Sequence, residues 1–427
     1  GVTVKFRSLL FHSAAVAALS PIGALAQTAG GQSSDIVVTA SPLDQTADET
    51  ASSVLTLSGD ELVHRRQATL GDTLSGQRGV NSDNFGGGAS RPVIRGQTAP
   101  RVEVLSDSSA IQDASEISPD HAVVTEPLLL RGIEVLRGPA TLLYGGSAVG
   151  GAVNLLDNKI PTSVPESGIS GVFEGRLGTA DNERSLVGGV TAGIGQFALH
   201  AEGVDRHTGD YNVPSSFGED HVDGSYNDTS TYSVGGSWVG SNGYLGAAYT
   251  RQNSEYGLPG HSQEYEDCHP HGTSLHCGGH GHEDEDHEHD HGHDHEEVPY
   301  ITLRSDRFDI RGELNDPLPG LENARVRLSF TDYEHSEIEE DEVATVFAND
   351  AYEMRLDVTH KPIFGLRGVI GAQHSSSDFS SNGEEQFIPP TETTNTAVFL
   401  LETMQLDSVR LELAARQEWQ SVKTTEG

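Results

Sequence analysis

The chain has 427 residues and carries 26 Lys and Arg against 64 Asp and Glu, a formal net charge of 26 − 64 = −38. This acidic balance excludes a nucleic-acid partner, because binding to phosphates needs a basic surface. Hydrophobic residues make up 35% of the chain, and no internal apolar stretch reaches the roughly 18 residues of a membrane helix. Glycine-rich composition with an acidic surface suits a bacterial outer-membrane β-barrel, or a soluble all-β protein.

The N-terminus predicts export. Lys5 and Arg7 precede an apolar run over 9–19, and small residues at 24–26 offer a cleavage site. This order of charged, apolar and small segments is typical of a secretory signal peptide, here 1–26. The alternative is a membrane anchor, but the apolar run is short for one.

Export bears on the two cysteines, Cys268 and Cys277. An oxidising compartment permits a disulfide between two cysteines so close in sequence. Histidines crowd around both, so the competing interpretation is a pair of soft metal ligands. The compartment favours the disulfide.

Two regions follow the signal peptide. A polar leader over 27–51 contains the β-prone segment Asp35, Ile36, Val37, Val38, Thr39, Ala40. Such a segment can pair with the sheet edge of another protein by strand addition, or it is the first strand of the next domain. Residues 52–160 have a mixed pattern, with helical turns expected within 60–74 and strands at 93–96, 101–105 and 132–136. They predict a small α+β domain.

The second half of the chain alternates with a period of two. Phe308 and Ile310, for example, alternate with Asp309 and Arg311. An apolar face opposite a charged one is what lipid-facing and lumen-facing residues require, although a sandwich would alternate in the same way. We count about eleven segments of roughly ten residues over 165–427, the length of a tilted membrane strand. We therefore expect about half of a plugged barrel with 22 antiparallel strands.

A histidine-rich segment, expected as a loop over 255–299, is the strongest chemical signal. Between His261 and Glu297 lie 11 of the 20 histidines and 12 acidic residues, with no Lys or Arg. Imidazoles beside carboxylates chelate divalent transition metals, so the loop should offer many weak, exchanging metal sites. The alternatives are a solvated acidic loop or a pH-responsive segment. The histidines are His261, His269, His271, His276, His280, His282, His287, His289, His291, His293 and His295.

Motifs for catalysis are weak. The glycine-rich run 145–151 lacks the lysine of a phosphate-binding loop, and there is neither an HExxH pair nor a GxSxG elbow. We expect no enzyme activity and no catalytic cofactor. The isolated histidines are expected on the surface or in the lumen: His200, His207, His221, His360 and His374.

A family resemblance rests on the run RGIEVLRGPATLLYG over 131–145, followed by GGAVN over 150–154. Together they resemble the plug signature of TonB-dependent outer-membrane receptors, and the segments 95–96 and 101–105 look like the preceding plug strands. Asp35–Ala40 is similar to the TonB box. Ser108 departs from the family, which often has Gly there. The resemblance implies a plug inside an outer-membrane barrel, contact with outer-membrane lipid, and import energised by TonB and its inner-membrane complex.

Within that family, the chain resembles the zinc-uptake (ZnuD-like) group. The segments LPGH over 258–261 and CHPHG over 268–272 and the His/Asp tract resemble its long extracellular loop, as does the later segment TDYEH over 331–335. The resemblance implies zinc as the transported ligand, bound by a plug Asp-His pair and a barrel Glu.

The matching positions are Asp120 and His121 in the plug and Glu337 in the barrel, with nearby His335 as a further metal candidate. Glu339 and Glu340 leave the register of the barrel Glu open. Carboxylate and imidazole together suit zinc. Nickel, copper, haem or another chelate are alternative cargoes, and a passive surface metal scavenger, an adhesin or a porin are alternatives of another class.

Overall fold

The computed structural model describes residue 43 and residues 53–217, 220–259, 269–271, 274–276, 298–384, 386–407 and 409–424. The predicted signal peptide, the segment Asp35–Ala40, both cysteines and most of the histidine-rich loop lie outside the described residues. No helix within the described ranges is long and apolar enough to cross a membrane.

The first domain is a small α+β unit. Its five-stranded sheet has the order β1-β6-β7-β4-β5, with β4 parallel to β7, and β2 and β3 form a separate hairpin. Strands β6 and β7 are buried along their whole length, and their polar residues pair with each other, since Asn154 donates to the carboxylate of Glu134 at 3.1 Å. The elements are β1 (Ser53–Ser58), α1 (Gly59–Arg65), α2 (Leu70–Leu74), β2 (Val80–Phe85), β3 (Ala89–Ile94), β4 (Val102–Ser106), β5 (Ser109–Ala110), β6 (Gly132–Arg137) and β7 (Gly151–Leu156), with 3₁₀ turns at Pro127–Leu129 and Pro139–Leu143.

One predicted strand of this domain ends early. The expected strand over 93–96 stops at Ile94, because Arg95 and Gly96 have φ angles of 51° and 78° and form a turn. That turn bridges Ile94 to Gln97. The helical turns expected within 60–74 and the other two strands are present.

Eleven antiparallel strands follow and form one curved sheet, in which each strand pairs with its neighbours in sequence. The connection between β12 and β15 carries a short hairpin of its own, β13 with β14. The predicted fold class, an α+β plug followed by an antiparallel barrel sheet, is confirmed. The strands are β8 (Ile169–Leu177), β9 (Arg184–Ile194), β10 (Phe197–Thr208), β11 (Asn227–Gly240), β12 (Gly243–Gly257), β13 (His269–His271), β14 (Ser274–His276), β15 (Tyr300–Asn315), β16 (Leu321–Glu339), β17 (Glu342–Ile363), β18 (Leu366–Gly383), β19 (Thr391–Leu406) and β20 (Val409–Thr424).

The two faces of the barrel sheet differ sharply. Apolar residues such as Phe308, Phe330 and Met354 are 41–43% exposed, whereas the alternating charged residues, among them Arg311 and Arg355, are buried. A sandwich would bury the apolar face instead. The apolar face is therefore the outer one, as a barrel in lipid requires.

The inner wall holds the plug through ionic and aromatic contacts. Arg355 of β17 pairs with Asp357 at 3.0 Å and donates to the carbonyl of Leu143 at 2.7 Å. Its guanidinium also lies 4.7 Å from the ring centroid of Tyr144 and 4.4 Å from that of Phe399. A fully buried arginine thus joins the barrel wall to the 3₁₀ turn after β6.

The outer wall carries an aromatic row in strict register. Tyr249 lies opposite Phe308, Phe308 opposite Phe330, and Phe330 opposite Tyr352, across β12, β15, β16 and β17. Aromatic girdles of this kind mark the membrane–water interface of barrels. The row lies between the apolar band and the sheet end that carries the longest connections, 209–226 and 258–299. We call this the loop end of the sheet.

Candidate metal site between plug and barrel

The plug presents one long loop to the loop end of the barrel. This apex loop, residues 111–126, is closed by Asp113, whose carboxylate accepts hydrogen bonds from the backbone N–H groups of Ser115 at 2.9 Å and Val124 at 2.8 Å. Burial raises the pKa of Asp113, although these hydrogen bonds oppose the rise. The loop is thus held by its own side chains.

Tyr256 of β12 fixes the middle of the apex loop. Its hydroxyl donates to the carbonyl of Asp120 at 3.0 Å and accepts from the N–H of Ala122 at 3.0 Å. The side chain is 1% exposed and packs with Ala122 and Tyr333 in one apolar cluster. Because both partners flank His121, the contact fixes the backbone that carries this imidazole.

Three potential metal ligands meet at this point. Nε2 of His121 lies 3.2 Å from Oε1 of Glu337, and Nε2 of His335 lies 3.8 Å from the same oxygen. One ligand atom from each of the three residues lies within 4.8 Å of the others, and all three residues are buried. His121 belongs to the plug, whereas His335 and Glu337 belong to β16.

Neighbouring groups orient both imidazoles. Nδ1 of His121 donates to the carbonyl of Ala114 at 3.0 Å, and the hydroxyl of Tyr333 lies 2.6 Å from Nδ1 of His335. The ring of Phe347 stacks on His335 with centroids 4.6 Å apart. A partner on Nδ1 leaves Nε2 to face the cluster, which is the usual arrangement of metal-binding histidines.

The spacing suits a tetrahedral ion. Metal–ligand bonds of about 2.05 Å place the ligand atoms about 3.3 Å apart; the two imidazoles lie 3.2 and 3.8 Å from Glu337, and all three ligand atoms lie within 4.8 Å of one another. Nε2 of His335 is buried and makes no hydrogen bond. An unpartnered buried nitrogen costs stability unless a further group binds it, so the donor set fits a divalent transition metal.

Without a bound metal ion, the surroundings of His121 favour its protonated, positively charged form. Burial alone would lower its pKa, but the hydrogen bond to Glu337, the nearby Asp120 and the Ala114 carbonyl together raise the pKa above its ordinary value. With Nδ1 donating to a carbonyl, the second proton sits on Nε2 and faces the carboxylate. A metal ion bound there would take the place of this proton.

The remaining predicted ligands lie apart from this group. Asp120 is buried and its carboxylate accepts a hydrogen bond from the hydroxyl of Ser118, but it is not among the three residues whose ligand atoms lie within 4.8 Å of one another. Glu339 and Glu340 are exposed, and Glu340 belongs to the turn after β16. Of the three candidate glutamates, the structure turns Glu337 toward His121.

The part of the loop over 255–299 that the structure describes includes the hairpin of β13 and β14, whose register places His269 opposite His276. A second group of potential ligands, Asp210, His221 and Asp223, lies in the connection between β10 and β11. It is partly exposed, and both nitrogens of His221 already face carboxylates, Asp220 at 2.6 Å and Asp223 at 2.8 Å.

Sequence reasoning missed the residues that position the site. Tyr256 and Tyr333 contact the apex loop or His335 directly, yet each looks like one more tyrosine in an alternating strand. The available signal was their position in the alternating pattern. Tyr256 lies on the same inward face of its strand as the buried Gln252 and Ser254. No sequence pattern indicated their partners.

Comparison with known proteins supports the fold and the plug. Residues 46–152 match the family described as TonB-dependent Receptor Plug Domain. The chain therefore contains a TonB-dependent receptor plug domain, and the predicted localisation, the bacterial outer membrane, is confirmed.

Relatives and solved structures add detail. A stretch of 148 residues, 34% of this chain and 24% of the relative, is 30% identical to "Vitamin B12 transporter BtuB" of Vibrio vulnificus (strain CMCP6). The structure "Copper transporter OprC" matches with a TM-score of 0.64 and 14% identity over 87% of this chain and 55% of that one. "The FrpB iron transporter from Neisseria meningitidis (F3-3 variant)" gives 0.65 and 11%, over 87% and 60%. The chain thus spans little more than half of these structures.

Proposed function

We propose that this chain belongs to an outer-membrane receptor that imports a divalent transition metal, zinc in the first place, in a TonB-dependent manner. The observation that carries the proposal is the buried group of His121, His335 and Glu337, with its unpartnered imidazole nitrogen. Two imidazoles and one carboxylate are a common ligand set for zinc. No bond chemistry is involved, so we expect neither an enzyme nor a catalytic cofactor.

Capture and transfer are separate steps in this proposal. The histidine-rich loop collects metal through many exchanging ligands and raises its concentration near the loop end. The buried group of His121, His335 and Glu337, which we call the deep site, then takes one ion between plug and barrel. Because its ligands come from both bodies, displacement of the plug separates His121 from Glu337 and opens the site.

Energy for that displacement would come from TonB. The segment Asp35–Ala40 would pair with TonB by strand addition, and the inner-membrane complex would supply the pull. The plug domain supports this step, since its family is named for TonB dependence.

Which metal is imported depends on the affinity of the deep site for each divalent ion and on the competition among these ions. Copper binds nitrogen sites more tightly than zinc in the general order of divalent metals, and one structural neighbour is titled a copper transporter. Nickel, haem or another chelate remain alternative cargoes. The three ligand atoms lie within 4.8 Å of one another on buried residues, a spacing that suits a single ion better than a large chelate.

The experiment is zinc accumulation by metal-starved cells that express the full-length receptor. Glu337→Gln keeps the shape of the side chain and removes its charge, and Glu339→Gln is the matched control two residues away on the exposed turn side. We expect uptake to fall at least about tenfold in Glu337→Gln, because losing a metal ligand should cost no less than the roughly 10–100-fold lost with an outer-shell partner, and to stay unchanged in the control. Equal uptake by both variants would contradict the proposal, and competition by copper or nickel would reassign the metal.

A further inference from the structure

The connection between β10 and β11, residues 209–226, is a paired segment at the loop end. Asn212 on its first limb and His221 on its second limb form an isolated antiparallel bridge. The N–H of Val222 donates to the carbonyl of Tyr211 at 3.1 Å, which joins the same two limbs. Because backbone hydrogen bonds hold the limbs together, side chains from both limbs keep fixed relative positions.

Three potential metal ligands converge on this connection. Asp210 lies on the first limb, and His221 and Asp223 lie on the second, with one ligand atom of each within 4.8 Å of the others. Nε2 of His221 lies 2.8 Å from the carboxylate of Asp223. The buried hydroxyl of Ser225 lies 3.5 Å from the carboxylate of Asp210. The pairing of the limbs therefore assembles the ligand set before any ion binds.

Asp220 orients the imidazole of His221. Nδ1 of His221 donates to the carboxylate of Asp220 at 2.6 Å, so Nε2 is the nitrogen that faces Asp223. A carboxylate behind the imidazole is the usual arrangement of metal-binding histidines, since it fixes the ring and raises the basicity of the other nitrogen. The pKa of His221 is raised by the hydrogen bond to Asp220 first, and the charges of Asp223 and Asp210 add to the rise, although burial opposes it. The surroundings of Nε2 therefore favour a cation.

This connection carries an excess of negative charge. It contains no Lys or Arg and four acidic residues, Asp210, Glu219, Asp220 and Asp223. A single protonated imidazole balances one of these charges, and the remaining carboxylates repel one another at short range. A divalent ion would remove this repulsion. Because an imidazole nitrogen is among the donors, a transition metal fits better than magnesium or calcium, which prefer oxygen ligands.

The group is open to solvent, unlike the deep site. The side chains of His221 and Asp223 are 44% and 45% exposed, so an ion reaches them without displacement of the plug. The 3₁₀ turn Ser215–Phe217 of the same connection lies beside β14, which belongs to the histidine-rich loop. An ion bound here would therefore exchange directly with the surrounding solution.

We propose that Asp210, His221 and Asp223 form a second site for a divalent transition metal ion, on the surface of the receptor, with Asp220 as the residue that positions the imidazole. Water would complete the coordination shell, because the protein supplies three ligands to an exposed ion. The site does not depend on the proposed import of zinc, since it would bind such an ion in a receptor for another cargo as well.

The test follows the reactivity of His221 toward diethyl pyrocarbonate, which attacks the free imidazole nitrogen, by mass spectrometry of the full-length receptor. His207 is the internal control, since it is exposed as well but pairs with one carboxylate, that of Asp228. We expect zinc to slow the modification of His221 at least about tenfold, because a bound ion occupies the nitrogen that the reagent attacks. Zinc should leave His207 unchanged, and magnesium at the same concentration should protect neither histidine.

Variants of the carboxylates separate a bound ion from a loop that merely covers His221. We expect zinc to give no protection in Asp223→Asn, and Asp220→Asn to need about 10–100-fold more zinc, as for other outer-shell partners of a metal ligand. Asp228→Asn is the matched control and should behave as wild type. If Asp223→Asn fails to reach the outer membrane, Asp210→Asn decides by the same criterion.

Two results would overturn this site. One is protection of His221 that survives the loss of a ligand carboxylate, and the other is equal protection by magnesium. Glu337→Gln should keep the zinc protection of His221, because the deep site is a separate group of residues. Normal zinc uptake in Glu337→Gln would thus contradict the proposed function and leave the surface site standing.

Discussion

The imidazole of His121 lies 3.2 Å from the carboxylate of Glu337, although 216 residues separate them in the chain. One residue belongs to the plug and the other to the barrel wall. The contact therefore reports the position of the plug, because any displacement of the apex loop must break it. A metal ion in place of the intervening proton would make the same contact stronger.

Metal binding should release a proton. The pKa of His121 is raised by Glu337, Asp120 and Ala114, so the free site holds a proton on Nε2 to a higher pH than an ordinary histidine does. Affinity for zinc should then fall as pH drops from 8 to 6, because protons compete for the ligand. Calorimetry in buffers of different ionisation enthalpy measures the number of protons released. A value of zero at pH 7 would contradict the exchange.

In the metal-free receptor, the contact between His121 and Glu337 should weaken as pH rises. This is opposite to zinc affinity, which should increase as pH rises. A group whose pKa is raised on folding contributes stability below its unfolded pKa, and that contribution is lost as pH rises through the folded value. Docking of the apex loop should therefore weaken above neutral pH without metal. Hydrogen exchange of the apex loop amides, with and without zinc, checks both signs.

Tyr256→Phe should loosen the apex loop while the fold is kept. The change leaves the N–H of Ala122 and the carbonyl of Asp120 without their partner, at a cost of about 1–3 kcal/mol for each buried group. We expect faster hydrogen exchange around His121 and weaker zinc binding. Tyr232→Phe, on the outer face of β11, is the control. Unchanged affinity in Tyr256→Phe would show that the loop is held by other contacts.

Gly88→Ala should displace the ring of Tyr256 by steric overlap. A Cβ atom on Gly88 would overlap the ring of Tyr256, whereas a Cβ on Gly188 of β9 meets no atom within 4 Å. Overpacking of a core costs about 1–3 kcal/mol. We expect Gly88→Ala to reduce zinc affinity in the manner of Tyr256→Phe, and Gly188→Ala to have no effect. If the two alanine variants bind alike, the contact with Gly88 does not set the position of Tyr256.

Arg355→Met should destabilise the docking of the plug. It removes the hydrogen bond to Leu143 and the aromatic contacts, and it leaves Asp357 with Arg327 as its remaining cation at 3.4 Å. Breaking a buried ion pair from one side typically costs about 3–5 kcal/mol. The midpoint of thermal unfolding should drop, and Arg355→Met combined with Asp357→Asn should recover part of the loss. No recovery would mean that the contacts to the plug dominate.

The histidine-rich loop should matter only when metal is scarce. Replacing its eleven histidines by asparagine removes the collecting ligands and leaves His121, His335 and Glu337 in place. We expect uptake to fall at low external zinc and to match wild type when zinc is abundant. A uniform loss at all concentrations would instead assign the loop a structural role in the receptor.

Alternation along the strands was sufficient to predict the barrel sheet. Successive residues face the lipid and the lumen in turn, and these surroundings favour apolar and polar side chains respectively. It was not sufficient at the end of β16. Strict parity would put Glu337 and Glu339 on one face, but the register shifts between Glu337 and Ile338. Glu340 and Asp341 then take φ angles of 49° and 61° to form the turn. A bulge of this kind depends on local strand pairing, which the alternating sequence pattern does not predict.

Contacts between residues that lie far apart in the chain could not be predicted from the sequence either. The bond from Tyr256 to the apex loop spans 136 residues, and Arg355 reaches Leu143 across 212. Each residue has ordinary local surroundings, so its partner follows only from how the plug sits against the wall. His121 was found through its resemblance to a plug motif, and His335 through its place beside Glu337.

The aromatic row also fixes the height of the metal site. Glu337 follows Phe330 of that row by seven residues along β16, about 23 Å of strand, or about 17 Å along the membrane normal at a tilt near 40°. The deep site would then stand well outside the hydrocarbon layer, on the side of the long loops, while its residues stay buried between plug and barrel. An ion held there has completed none of its passage across the bilayer. Capture would be a purely extracellular equilibrium, and the whole thickness of the membrane would remain to be crossed after release.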